Sequence, residues 1–348
     1  MKIFLRAFPG ITISLFCLYL FLFGLKTPWF SLPGINFNAV LNSMHEVQHL
    51  YLIPYLGIYL LIYYLRALRW HYILKAVQPL PFSSTYSYTM IGFMLNNILP
   101  LRAGEVLKPY LLARKENLSF SATLATVFIE RILDGLMLLI LGATLLFYYQ
   151  LTLSLPSEYL VALKKTGGIL FFVFCSTLLL LWLLLKNDST FLKGLSKLLF
   201  FLPLTWTQKG VGKIHSFALG LSYIGTWKRF FLGFLQSSII WILIAISFYV
   251  IVLSFDLSLS LADTSLLLVF VALGIALPSS PGYIGVFQII CEIALKIFAI
   301  DTVKAQSFSI YLWAVNIFPV IFLGLFYFYK ENLSWAKIKT LSSSPRQS

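Results

Sequence analysis

Apolar residues in this chain run in long blocks instead of alternating or recurring every third or fourth position. The blocks expected to form full spans lie at residues 9–25, 51–70, 123–149, 167–185, 230–254 and 306–329, and short polar stretches separate them. A helix needs roughly 20 apolar residues to cross a hydrocarbon core about 30 Å thick. Blocks of this kind, with 59% of the chain hydrophobic and only 11% charged, exceed what a soluble globule of 348 residues can bury. The pattern predicts an all-α integral membrane protein with six full transmembrane helices.

Two further apolar regions do not read as ordinary spans. Residues 82–115 contain Asn96-Asn97-Ile98-Leu99-Pro100-Leu101-Arg102-Ala103-Gly104-Glu105, and residues 264–300 contain Leu277-Pro278-Ser279-Ser280-Pro281-Gly282-Tyr283-Ile284-Gly285. Proline removes a backbone donor and clashes with the preceding turn, and glycine loosens the chain, so both regions should be broken helices. A broken helix at membrane depth must face protein or a water-filled cavity, because unpaired backbone groups in lipid cost several kcal/mol each. Each break therefore predicts an internal polar site, with a simple kink or interfacial loop as the alternative.

Pro100 and Pro278 lie 178 positions apart, close to half the chain. Each break follows two spans and precedes one. This suggests an inverted repeat of two halves, 1–160 and 161–348, with a re-entrant hairpin at 82–115 opening to the cytoplasm and one at 264–300 opening outward. The basic residues supply the orientation. With both termini inside, cytoplasmic segments hold 20 of the 26 Lys and Arg residues, Arg66, Arg69, Arg102 and Lys108 among them; this is the positive-inside bias. The expected location is a bacterial or archaeal plasma (inner) membrane.

The net charge of +14 then belongs mainly to a cytoplasmic surface that attracts anionic headgroups. Nucleic acid is not an expected partner, since no basic run stands on a soluble domain. Lys2 and Arg6 followed by an apolar block resemble a signal peptide, but the exit through Lys26-Thr27-Pro28-Trp29 has no small-residue cleavage site, so the segment reads as a retained span. Cys17, Cys175 and Cys291 are far apart in apolar segments and read as packing residues with no metal or redox pairing. No cofactor is expected.

Ionisable residues within apolar blocks are functional-site candidates by default. Glu130, Arg131 and Asp134 stand in the third full span, with Glu130 and Asp134 one helical turn apart on one face. They are expected either at the midplane or as a solvated pair at headgroup level. Glu292 and Lys296 form a similar i, i+4 pair in the second hairpin, either within the membrane or at the outer interface. Arg102 and Lys108, flanking Glu105, suit a phosphate, the first by its bidentate fork and the second as a point charge. Helix starts after Pro100 and Pro281 offer free backbone amides.

His45-Glu46-Val47-Gln48-His49 matches the H-E-x-x-H zinc-peptidase pattern. No third ligand is evident, and an amphipathic helix resting on the outer leaflet, with Val40, Met44, Val47 and Tyr51 as its apolar stripe, is the competing reading. ATP-driven transport has no support, because Gly210-Val211-Gly212-Lys213 lacks the upstream glycine and following Ser or Thr of a phosphate-binding loop. The longest cytoplasmic stretch, residues 186–229, is too short for an independent enzyme domain.

Three stretches carry a family resemblance: Asn97-x-x-Pro100-x-Arg102-x-Gly104-Glu105, Glu130-Arg131-x-x-Asp134, and Leu277-Pro278-x-x-Pro281-Gly282-x-x-Gly285-Val286-Phe287. In this order they resemble the transmembrane domain of the lysylphosphatidylglycerol synthases (multiple peptide resistance factors) and their free-standing, flippase-like relatives. Tyr283 and Gln288 depart from the family pattern, standing where a glycine and an acid are usual. The resemblance implies movement of a lipid with an anionic or modified headgroup between leaflets without ATP hydrolysis. The soluble aminoacyl-transferase domain is expected to be absent.

The expected substrate contacts are Asn97, Arg102, Glu105, Lys108, Glu130, Arg131, Asp134, Ser279, Ser280 and Gln288. Pro100, Gly104, Pro278, Pro281, Gly282 and Gly285 are expected to maintain the breaks. A lipid-modifying enzyme partner and a homo-oligomer are further expectations. Service as the membrane component of a lipid-modifying transferase system, and a zinc peptidase using His45, Glu46 and His49, are the alternatives.

Overall fold

A computed structural model of the chain describes residues 2–26, 31–152, 161, 165, 167–168, 171–172, 175–176, 226–276 and 280–334. The described part is helical apart from a two-stranded antiparallel ribbon, β1 (Gly24–Lys26) with β2 (Ser31–Pro33), after the first helix α1 (Lys2–Phe23). Next come the short α2 (Phe37–His45), α3 (Leu52–Leu74), α4 (Phe82–Ile98), α5 (Gly104–Lys115) and the long α6 (Phe120–Thr152). After the segment that is largely outside the described residues come α7 (Trp227–Ser254), α8 (Leu261–Ala276), α9 (Val286–Ile297) and α10 (Thr302–Lys330).

Among the described residues four helical segments are long and apolar enough to cross a membrane: His49–Leu74, Phe120–Thr152, Trp227–Ser254 and Thr302–Lys330. They contain four of the six expected spans. The expected first span coincides with α1, in which Ser14–Phe23 is a shorter apolar helix. Most of the span expected at 167–185 lies outside the described residues, as do most of residues 186–229. At 1.5 Å per residue the 33 residues of α6 reach about 50 Å, well beyond a hydrocarbon core.

The surface is apolar where a soluble protein's is polar. On α10, Phe318, Phe322 and Phe326 form an exposed stripe at i, i+4 spacing, while Val320, Gly324 and Phe328 of the other face are buried. Exposed Leu232, Leu235, Ile239 and Ile242 do the same on α7. Such surfaces have lipid as their partner, and the fold is that of an integral membrane all-α protein.

Local chemistry sets the helix ends. Leu99 precedes Pro100 and is forced into extended backbone (φ −101°, ψ 148°), which ends α4. Asp301 caps α10, its carboxylate accepting from the Val303 and Lys304 amides. Ser260 and Asp263 cap α8 reciprocally, and Asp263 also accepts from the Tyr149 hydroxyl at 2.6 Å, tying the end of α6 to the start of α8.

The helices pack in matched pairs. α3 lies against α7; α4 packs on α10 and α8 on α6; α4 folds back on α5 and α8 on α9; α5 packs on α6 and α9 on α10. The Gln48 amide donates to the Ser254 carbonyl at 3.0 Å, so α3 begins where α7 ends. Lys115 pairs with Glu331 at 2.5 Å, so α5 and α10 end together.

The two breaks have the same backbone shape. Pro100–Arg102 and Pro281–Tyr283 are both single 3-10 turns, and in each the two residues after proline have positive φ: Leu101 (58°) and Arg102 (52°), Gly282 (68°) and Tyr283 (58°). Among the described residues the turn that repeats the one at Pro100 is that at Pro281, 181 positions on. Pro278 and Ser279 lie outside the described residues. Three non-glycine residues in left-handed backbone cost about 1–2 kcal/mol each and persist only because the surroundings hold them.

Candidate functional site

The two breaks touch one another, and around their meeting point helices α3 to α10 line a half-open cavity of about 420 Å³. Arg102, at the tip of the first hairpin, donates through Nη2 to the Ile275 carbonyl near the end of α8 at 2.7 Å. Its guanidinium also stands 5.6 Å from the centre of the Tyr283 ring. Trp313 donates from its indole to the Gly282 carbonyl at 2.7 Å. Carbonyls at and before the second break are thus satisfied by side chains, one from the first break and one from α10.

A buried ion network forms one wall. Arg69 of α3, fully buried, donates to both carboxylate oxygens of Asp134 (2.6 and 3.2 Å) and to Ser237 of α7 (2.6 Å), and stands 3.5 Å from Glu130. Lys108 of α5 binds Glu130 at 2.6 Å and sits 3.8 Å from the centre of the Trp70 ring, whose indole donates to Thr126 at 2.9 Å. Arg131 bridges Glu105 (3.5 Å) and Asp134 (3.3 Å), and Arg66 approaches Asp134 at 3.9 Å. Glu130 and Asp134 are thus enclosed by protein, which corrects the reading of a solvated headgroup pair; Arg131 alone of the trio is substantially open.

Of the expected contacts, Asn97, Arg102, Glu105, Arg131 and Asp134 line the cavity. Asn97 donates to the Phe93 carbonyl at 2.9 Å, and Asn96, which was not among the expected contacts, donates to Glu105 at 3.2 Å. Glu130 and Lys108 stand behind the wall as its support and do not line the cavity.

Two expected contacts have other work. The Gln288 side-chain oxygen accepts from the Gly285 amide at 2.8 Å, capping α9 from its third position. This explains how a neutral amide serves where the resemblance leads one to expect an acid. The Ser280 amide donates to the Ser14 hydroxyl of α1 at 2.7 Å, which braces the second break from outside the cavity.

The glycines expected at the breaks have definite steric reasons. A Cβ on Gly104 would meet the Gly92 carbonyl and Asn96, so only glycine lets α5 lie this close to α4. On Gly285 (φ 83°) it would meet Ser14 and Leu18 of α1 at 2.6 Å.

The cavity also takes residues that the sequence reading passed over. Arg66 lines it and Arg69 supports it, although both had been counted as cytoplasmic flanking charges. The signal was their i, i+3 spacing inside an apolar run, with Trp70 beside them. Tyr59, Tyr63, Phe93, Trp241, Tyr283 and Trp313 add an aromatic lining, and Ile244, Phe248, Leu268 and Val271 an apolar one. The Tyr59 hydroxyl donates to the Asn316 carbonyl, one turn before Pro319 of α10.

Glu292 is fully buried in α9, 3.2 Å from Lys296. The H-E-x-x-H segment does not form a zinc-binding face: α2 stops at His45, Glu46 is its C-cap, and His49 lies in a separate turn with Nδ1 3.3 Å from the Tyr311 hydroxyl. Zinc sharing at i, i+4 requires one continuous helix. Among the described residues no three His, Cys, Asp or Glu side chains converge. The apolar stripe through Val40 and Val47 is buried in protein, α2 packing on α10.

A multi-pass chain with two touching helix breaks and an arginine-rich internal wall defines a class of membrane domain, and residues 10–327 match the family described as the lysylphosphatidylglycerol synthase TM region. The chain belongs to that family. It is similar to the UPF0104 membrane protein MJ1078 of Methanocaldococcus jannaschii, with 27% identity over 240 residues, covering 68% of this chain and 93% of the relative. It is also similar to the UPF0104 membrane protein MJ1595 of the same organism, with 23% identity over 171 residues, or 48% of this chain and 49% of that one. No solved structure matches.

Proposed function

We propose that the protein carries a lipid with an anionic headgroup between the leaflets of a bacterial or archaeal plasma membrane, without ATP hydrolysis. The observation that supports this best is an amphipathic internal cavity: Arg66, Arg102 and Arg131 at one wall, aliphatic and aromatic side chains at the others. Arginine forks suit a phosphate oxygen pair. The apolar walls suit the glycerol and first methylenes of acyl chains whose remainder stays in the bilayer.

The transport geometry in this reading is an inverted repeat, with both hairpins re-entrant and both termini cytoplasmic. The matched packing of α4 on α10 and α8 on α6, and the shared backbone shape of the two breaks, support it. Alternating access would then be a rocking of one half against the other about the meeting point of the breaks. The family's synthase description keeps a second reading in view, in which the domain delivers lipid to or from a separate modifying enzyme.

The test is reconstitution of the chain into liposomes carrying a fluorescent phosphatidylglycerol whose outer-leaflet signal is chemically quenched. Wild type is expected to expose the inner pool well above protein-free vesicles, and Arg66→Ala to slow this by about tenfold or more, as loss of a charged hydrogen bond of 1.5–3 kcal/mol would do. Rates equal to those of protein-free vesicles would overturn the proposal.

A further inference from the structure

The charges around the cavity do not balance, and the surplus has a specific chemistry. Among the described residues, the cluster holds five cations (Arg66, Arg69, Arg102, Lys108 and Arg131) and three carboxylates (Glu105, Glu130 and Asp134). Glu130 is occupied by Lys108 and Arg69, Asp134 by Arg69 and Arg131, and Glu105 by Arg131. Arg66 reaches its nearest carboxylate only at 3.9 Å, and Arg102 is paired to a carbonyl and an aromatic ring. These two arginines are the uncompensated charges, and both line the cavity.

Unpaired polar atoms point the same way. Among the described residues, buried Arg102 Nε, Arg131 Nε and Trp241 Nε1 have no acceptor and Asn96 Oδ1 has no donor; all four residues line the cavity. These atoms are closed off from the cavity in this arrangement; with their side chains turned toward it, three donors against one acceptor suit a ligand rich in acceptor oxygens and poor in N–H groups. Buried polar groups of this kind are costly unless a ligand or water pairs them.

We propose that the cavity selects a phosphate dianion carried by a lipid phosphomonoester, of which a diacylglycerol phosphate is the simplest, and rejects headgroups of net positive charge. This rests on the lipid-transport reading of the same cavity. A dianion neutralises the two surplus arginines. A phosphodiester neutralises one, and an aminoacylated phosphatidylglycerol brings an ammonium into a site already short of acceptors. Against a wall whose carboxylates are buried, each such mismatch is screened less than in bulk water.

The experiment is titration of the purified full-length chain in detergent with dioctanoyl phosphatidic acid, dioctanoyl phosphatidylglycerol, dioctanoyl lysylphosphatidylglycerol and glycerol 3-phosphate. Phosphatidic acid is expected to bind about tenfold more tightly than phosphatidylglycerol, with the lysyl lipid weakest. Arg66→Gln and Arg102→Gln should weaken phosphatidic acid and narrow its lead over phosphatidylglycerol. Glu105→Gln, which enlarges the surplus, should tighten phosphatidic acid, a gain that a misfolded protein does not show.

Lysyl lipid binding as tightly as phosphatidic acid, or a lead over phosphatidylglycerol unchanged in all three variants, would overturn the selectivity while leaving liposome transport to be judged separately. Glycerol 3-phosphate binding as tightly as phosphatidic acid would support the phosphate site and overturn its lipid occupant. Absence of binding by either phosphomonoester overturns the inference outright.

Discussion

Arg102 and Tyr283 occupy the same step of two equivalent turns, each two residues after its proline and each in left-handed backbone, and their side chains meet with the guanidinium 5.6 Å from the ring centre. Where the resemblance leads one to expect a second glycine, this chain has an aromatic ring facing the cation of the other break. The contact joins the hairpins directly, and the Arg102 bond to the Ile275 carbonyl adds a second tie between the same two tips.

Removing that tie should loosen the centre of the molecule. Arg102→Ala leaves the Ile275 carbonyl unpaired and removes the ring contact, and is expected to lower stability by about 2–3 kcal/mol. Arg102→Lys should recover only part of this, because an ammonium lacks the planar fork. Thermal unfolding of the detergent-solubilised protein, wild type against both variants, measures the difference.

Arg69 is the hub of the buried network, so its loss should cost more than that of Arg66. Arg69→Ala removes the two hydrogen bonds that Asp134 accepts from it, leaving Asp134 with Arg131 and the more distant Arg66, and leaves Glu130 with Lys108 alone, for an expected loss of about 3–5 kcal/mol. The double change Arg69→Met with Asp134→Leu should restore part of the stability, since neither member of the closest pair is left without the other, although Arg66 loses its nearest carboxylate. A double variant no more stable than Arg69→Ala would argue against the pairing.

The glycines at close approaches should rank by what a Cβ meets. Gly104→Ala drives into the Gly92 carbonyl and Gly324→Ala into Met94 and the Met90 carbonyl, while Gly274→Ala meets only the flexible Ile290 side chain. The first two are expected to lose about 2 kcal/mol or more and the third under about 1.5 kcal/mol. Comparing the melting temperatures of the three alanine variants tests the order.

Gln288 should behave as a cap. Gln288→Glu retains an acceptor for the Gly285 amide and adds a favourable charge at a helix N-terminus, so near-wild-type stability is expected, whereas Gln288→Ala should lose about 1 kcal/mol. Amide hydrogen exchange in the first turn of α9 reads this directly: faster exchange in the alanine variant alone supports the cap.

Much of this was legible along the chain, and for a local reason. Long apolar blocks dictate membrane helices, proline forces Leu99 out of the helix, and charges inside apolar helices demand partners whatever the fold. Hence Glu130, Arg131, Asp134 and both breaks stood out. The partners did not: Arg69 meets Asp134 across 65 residues and Lys108 meets Glu130 across 22, and a basic residue near the end of an apolar block has the same signature whether it faces headgroups or turns inward.

Likewise, the spacing of prolines drew attention to Pro278, and only backbone torsions showed that the turn at Pro281 repeats the one at Pro100. The sequence by itself determined the solvent of this protein, the places where its helices break and the need for a charged interior, because hydrophobic length and proline geometry act over a few residues. Tertiary structure decided which cations neutralise which carboxylates, which two arginines remain in surplus and that the breaks meet. Those outcomes depend on distances between helices that no local pattern encodes.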